Sequence, residues 1–126
     1  MPSTDRSKTM SPISDLLLVF DPNLLLKNCG GDEELAEEIL QLFRQQVGVA
    51  RDDLPGADTS ERAMIAHGMK GSARTCGASE LAEAAARLER EPANGTAADD
   101  LASALADLAA TLADRVAADG AVDLTR

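Results

Sequence analysis

Apolar residues in this chain recur at three- and four-residue steps and nowhere alternate with polar ones, a pattern of amphipathic helices that leaves no strand signal. Leu101, Leu105, Leu108, Leu112 and Val116 form the clearest stripe. Leu35, Ala36, Ile39, Leu40, Phe43, Val47 and Ala50 form another. There is no Trp, no Tyr and only two Phe among the 126 residues. A core must therefore be assembled from Leu, Ala, Ile, Val and Met, which suit packed helices better than a sheet. The length is that of one domain with one core.

Start and stop signals divide the chain. Residues 1–10 are polar and read as a flexible tail, and 119–126 as a second; the folded domain is expected over 11–118. Ser11-Pro12 is a cap and first helical residue ahead of the apolar run 13–20, and Asp21-Pro22 repeats that signature ahead of Gly30-Gly31. This lead-in reads either as two short helices or as an extended arm followed by one. Asp32 caps a long helix to about Asp53, which Leu54-Pro55-Gly56 stops. Asp58 and Glu61 resemble a capping box opening a third helix over about 59–76, with Gly77 at its end. A fourth helix spans about 79–90, with Leu81, Ala85 and Leu88 on one face. After the turn Glu91-Pro92-Ala93-Asn94-Gly95, Thr96 and Asp99 offer a looser capping pair for a last helix to about Ala118. The expected fold is all-α, an up-down four-helix bundle with a short N-terminal lead-in helix.

Charge and motif content exclude several functions. The net charge is −10 and the pI about 4.4, so phosphate backbones and anionic membrane surfaces are repelled, and neither nucleic acid nor membrane is expected as a partner. No apolar run approaches the ~20 residues of a membrane span. Residues 1–10 hold no apolar stretch of signal-peptide length, and Cys29 and Cys76 lack CxxC spacing. Reduced thiols in a cytoplasm are expected. One His and two distant Cys do not make the roughly four-ligand set of a zinc site. No GxxxxGK[ST] or GxGxxG run is present, so no nucleotide cradle is visible.

The third helix carries the chemistry. On a helical wheel Ile65, Ala66, Met69, Ala73 and Cys76 share one sector, the core face, and His67 lies nearly opposite. Ala63, Lys70, Gly71 and Arg74 are its neighbours on the outer surface. Gly71, one turn from His67, costs about 1 kcal/mol relative to Ala in a helix interior and leaves bare backbone that another molecule can approach. Gly68 carries a similar cost without a comparable explanation. Residues 62–79 hold Arg62, Lys70 and Arg74 but no Asp or Glu, a positive island in an acidic chain. Neutral imidazole is a nucleophile, and beside an ammonium group it can attack a phosphoryl group. A lone helical His is most often an ordinary surface residue, charges mostly a solvated face, and a helix Gly often a packing site. Here the wheel sets Gly71 with His67 and away from the core. Met64 gives the stripe an apolar edge for a partner, and Cys76 and Met69 are core packing.

The run His67-Gly68-Met69-Lys70-Gly71-Ser72-Ala73, then Gly77-Ala78, Leu81-Ala82 and Leu88-Glu89, resembles the histidine-containing phosphotransfer (HPt) domain of bacterial phosphorelays. Gly30-Gly31-Asp32-Glu33-Glu34-Leu35 resembles the turn opening that family's second main helix. The resemblance covers about residues 20–115. It implies a helical bundle whose exposed histidine takes a phosphoryl group from an aspartyl phosphate on a receiver domain and passes it to the aspartate of another. It implies no autokinase activity and no ATP binding. His67 would be the phosphorylated nucleophile, and Lys70 would steady the phosphoryl group. Gly71 would give the receiver room, with Ala63 and Met64 at the docking stripe and Arg74 as a basic contact. The family commonly has a hydroxyl or longer polar residue where Gly68 stands. Implied partners are receivers, including that of a hybrid histidine kinase, with no cofactor in this chain and Mg²⁺ supplied by the receiver.

Two other readings stay open on the residues alone. One is a non-catalytic docking module binding a receiver or kinase through Ala63, Met64, His67 and Gly71. The other is a histidine-kinase dimerisation fragment, but four or five helices close a bundle within one chain, so a monomer is expected.

Overall fold

In a computed structural model, residues 18–124 are described in backbone and residues 18–114 in side chain. The expected tail over 1–10 and the Ser11-Pro12 cap lie outside the described residues. Leu18 and Val19 are helical, and five α-helices follow. They are α1 (Pro22–Asn28), α2 (Glu33–Asp53), α3 (Thr59–Cys76), α4 (Ser79–Arg90) and α5 (Gly95–Leu124), with a 3-10 turn Leu54–Gly56 after α2. Among the described residues there is no strand, and the all-α class holds.

The helix starts follow local side-chain chemistry. The Asp21 carboxylate accepts from the backbone N–H of Asn23 at 3.1 Å and of Leu24 at 3.3 Å, with Pro22 in the first turn of α1. Gly30 and Gly31, at φ 69° and 82°, make the left-handed turn into α2, where Asp32 accepts from Leu35 N–H at 3.0 Å. Asp58 and Glu61 form a complete capping box on α3, both bonds 2.8 Å. The start of α5 corrects the sequence reading. Its cap is Asn94, whose side-chain oxygen accepts from Ala97 N–H at 3.1 Å, rather than Thr96, because the preceding turn closes one residue before Gly95. The helix also continues past Ala118 to Leu124, into the stretch 119–126 expected to be a tail.

Helices α3 and α4, joined by two residues, pack as a hairpin, α4 packs on α5, and α2 packs on both α5 and α3. Those contacts close a ring around one apolar core of Leu, Ala, Phe, Val, Met and Cys side chains. Phe43, Leu81, Leu88, Leu101, Leu105 and Leu108 are its largest fully enclosed members. Among the described residues no polar or charged side chain is buried. Leu35 departs from its expected core position and is 40% exposed, as its wheel position lies at the edge of the stripe. Val116 lies outside the described side chains.

Helix α1 is clamped to the α3–α4 corner. Asp21 N–H donates to the Gly77 carbonyl at 2.9 Å, and Asn28 Nδ2 donates to the Thr75 carbonyl at 2.9 Å. Gly77 has φ 79°, and a Cβ there would collide with the Asp21 carbonyl oxygen. Glycine thus ends α3 for two reasons, one local and one tertiary.

Candidate functional site

The core face of α3 is buried as the wheel requires: Ala66, Met69, Ala73 and Cys76 are enclosed and Ile65 packs against them. That burial orients the rest of the helix. His67 is 74% exposed in its side chain. Burial pushes the Cys76 thiol up to about 12, with the nearby Cys29 thiol adding to the effect, so Cys76 is a packing residue and not a nucleophile.

Glu89, present in the family motif but given no role by sequence reasoning, is the residue that reasoning missed as part of the site. Its Oε2 lies 2.7 Å from His67 Nδ1, and its Oε1 lies 2.5 Å from Lys70 Nζ. A carboxylate from α4 therefore sits between the two catalytic candidates of α3. The acid-free stretch 62–79 is not acid-free in space, which corrects the picture of His67 on a stripe without carboxylates. Leu88, fully enclosed, anchors α4 and leaves the next side chain at the α3 boundary. A signal existed: His67 and Glu89 are each eleven residues from Ala78, about which the hairpin folds. Residues equidistant from such a turn come opposite one another.

Hydrogen bonds from Lys70, and then from His67, hold the Glu89 carboxyl below its ordinary value of 4.5. An ionised carboxylate only accepts, so the proton of a neutral His67 ring sits on Nδ1 and the free lone pair on Nε2. Glu89 thus sets the tautomer of a solvent-facing imidazole and holds an ammonium group one turn away.

The three cations of the stretch separate. Arg62 Nη1 donates to the Pro92 carbonyl at 3.2 Å and ties α3 to the α4–α5 turn. Lys70, half-buried, is held at Glu89. Arg74 is exposed, and its side chain makes no hydrogen bond or ion pair among the described residues. Met64, His67, Gly68 and Gly71 line an open, largely apolar groove between α3 and α2, where Leu42 and Val49 face them. Met64 is 73%, Leu42 61% and Val49 60% exposed. Ala63 is half-buried, and neither it nor Arg74 lines the groove. A Cβ added at Gly71 would meet nothing, so the bare backbone beside His67 is open to an approaching molecule.

Among the described residues no group of three or more His, Cys, Asp or Glu is arranged to hold a metal ion. Nor is any described helix long and apolar enough to cross a membrane.

Comparison with known proteins agrees with this geometry. The family model of the Hpt domain matches residues 33–119. No curated protein and no solved structure matches the chain. The matched residues run from the first residue of α2 into the last turns of α5 and include His67, Lys70 and Glu89. With most of its length matched, and an exposed histidine on a helical bundle, this chain belongs to the Hpt domain family.

Proposed function

We propose that this chain is an intermediate phosphoryl carrier, taking phosphate onto His67 from the aspartyl phosphate of one receiver domain and passing it to the aspartate of another. Hpt domains as a family act in phosphotransfer within phosphorelays and interact with receiver domains. The observation that carries the reading to named residues is the contact of Glu89 with both His67 and Lys70.

In the forward step the Nε2 lone pair of His67 attacks phosphorus. The N–P bond forms as the P–O bond to the receiver aspartate breaks, and that carboxylate leaves with the bonding pair. Positive charge grows on the ring, and Glu89 at Nδ1 stabilises it while keeping the ring oriented. Lys70 supplies the ammonium group for the phosphoryl oxygens. The reverse step delivers the group to a second receiver. The divalent cation, Mg²⁺, belongs to the receiver in this scheme, and the chain needs no nucleotide. Gly71 leaves room for the receiver at the groove, Met64 and Ala63 add apolar contact, and Arg74 meets its acidic rim. The bundle acts as a cytoplasmic monomer with up-down four-helix topology, and a hybrid kinase receiver is among its donors.

The experiment is labelling with a panel of phosphorylated receivers. Acid-labile, base-stable phosphate is expected on the chain and not on His67→Gln, whose surface site leaves the core untouched. Label on His67→Gln under the same conditions would refute the assignment. The exposed apolar groove also suits a docking module that is never phosphorylated; equal receiver binding by both proteins with no label on either would favour that second reading.

A further inference from the structure

We infer that Gly68 determines which receivers this chain accepts, by leaving bare backbone beside His67 for a large apolar side chain of the partner. The inference rests on the phosphotransfer reading above and concerns choice of partner, not the reaction.

Nothing within the fold asks for glycine at this position. Gly68 lies in the interior of α3, where glycine is disfavoured relative to alanine. Among the described residues positive φ occurs only at Gly30, Gly31 and Gly77, so Gly68 has an ordinary helical backbone. A Cβ built on it would meet no atom of the chain. An alanine would therefore fit, relieve the helix and disturb no contact. What singles out this glycine is its place, directly beside His67 and on the groove, so the return for the broken local rule is sought outside the fold.

Its surroundings say what kind of return. Gly68 follows the phosphate-accepting residue and lines the same groove as Met64, Leu42 and Val49, all more than half exposed. Gly71 lies three residues on along the same groove, so the two glycines form one continuous bare strip. A strip without side chains, flanked by exposed apolar ones and ending at the reacting imidazole, accepts an apolar side chain standing beside the partner's aspartate. Most of the groove's exposed lining is apolar, so an apolar group gains more there than a charged one, which would lose its water.

Gly48 supplies the internal control. It too sits within a helix, is exposed and would meet nothing with a Cβ, but it does not line the groove. If the two glycines were merely neutral, alanine at either would have the same consequences.

The test compares wild type, Gly68→Ala, Gly68→Leu and Gly48→Ala. His67 labelling is followed from a panel of phosphorylated receiver domains and, separately, from phosphoramidate, a phosphodonor too small to use the groove. Both alanine variants should raise Tm by a few degrees. Gly68→Leu should lower the ratio of receiver labelling to phosphoramidate labelling by roughly tenfold or more for the best wild-type receiver. It should also reorder the panel, with Gly68→Ala moving the same way by less and Gly48→Ala moving neither. The inference is overturned if Gly68→Leu slows both donors in parallel, or if the order of receivers is that of wild type. A wild-type chain that no receiver labels would overturn the phosphotransfer reading itself, and this inference with it.

Discussion

Glu89 Oε2 stands 2.7 Å from His67 Nδ1, so a residue twenty-two positions along the chain decides which nitrogen of the only histidine is free to react. The same carboxylate reaches Lys70, which couples the imidazole and its neighbouring cation through one side chain. Removing it separates orientation from charge. Glu89→Ala should slow labelling of His67 by roughly ten- to a hundredfold, by analogy with the loss of the carboxylate that orients a metal-bound histidine. Glu89→Gln, whose carbonyl oxygen still accepts from Nδ1–H, should fall between Ala and wild type. Stopped-flow or quenched labelling with one receiver measures all three; wild-type rates in Glu89→Ala would dismiss the role.

The protonation of Glu89 gives a second prediction. Its carboxyl titrates below the ordinary 4.5 because Lys70, and secondarily His67, hydrogen-bond the charged form. A depressed carboxylate contributes above its unfolded value and loses the contribution as pH falls through its folded value. The ties to His67 and Lys70 are therefore fully present above about pH 4.5 and fade below it. Because the group is half-buried at the surface and still reached by solvent, global stability should hardly respond. A carbon-detected NMR titration should give Glu89 a midpoint below those of free glutamates, and Lys70→Ala should raise it. An unmoved midpoint in Lys70→Ala would contradict the stated cause.

Two glycines of the α3 region should answer differently to one substitution. Gly77→Ala forces a left-handed backbone on alanine and drives its Cβ against the Asp21 carbonyl, so it should cost at least about 1–2 kcal/mol. Gly71→Ala meets no neighbour and should stabilise α3 by about 1 kcal/mol while slowing receiver transfer. Thermal melts of the two variants should therefore move in opposite directions. A Gly77→Ala protein as stable as wild type would mean that the Asp21 clamp yields freely.

Cys76 provides a chemical check on the core. With its thiol pushed up to about 12, only about one part in ten thousand is thiolate at pH 8. In Cys29→Ala, where Cys76 is the sole thiol, iodoacetamide at pH 8 should modify the native protein at least about a hundredfold more slowly than the urea-unfolded chain. Comparable rates would show that the α3 core face opens readily.

Much of the fold was legible because its instructions are local. Asp21, Asp32 and Asp58 cap helices through bonds spanning two or three residues, and each stands where the chain composition announced it. The third helix runs over 59–76 as its caps and stripe require. Asn94 escaped notice because the turn before α5 contains several residues able to cap, and which one does so depends on where the turn closes. Leu35 was misplaced because a residue at the margin of an apolar stripe is buried or exposed according to the neighbour it meets.

By itself the sequence determined that this chain is helical, where most helices begin, and that His67 faces away from the core, since each of these follows from spacing within a single helix. Only the tertiary structure decided that Glu89 orients His67 and restrains Lys70, that Leu42 and Val49 of α2 face Met64 across a groove, and that Gly77 must stay bare beneath Asp21. The reason is physical. A helical wheel orders the neighbours one helix provides, whereas a carboxylate supplied by the next helix appears only once burial of residues such as Leu88 has set how the two helices lie together.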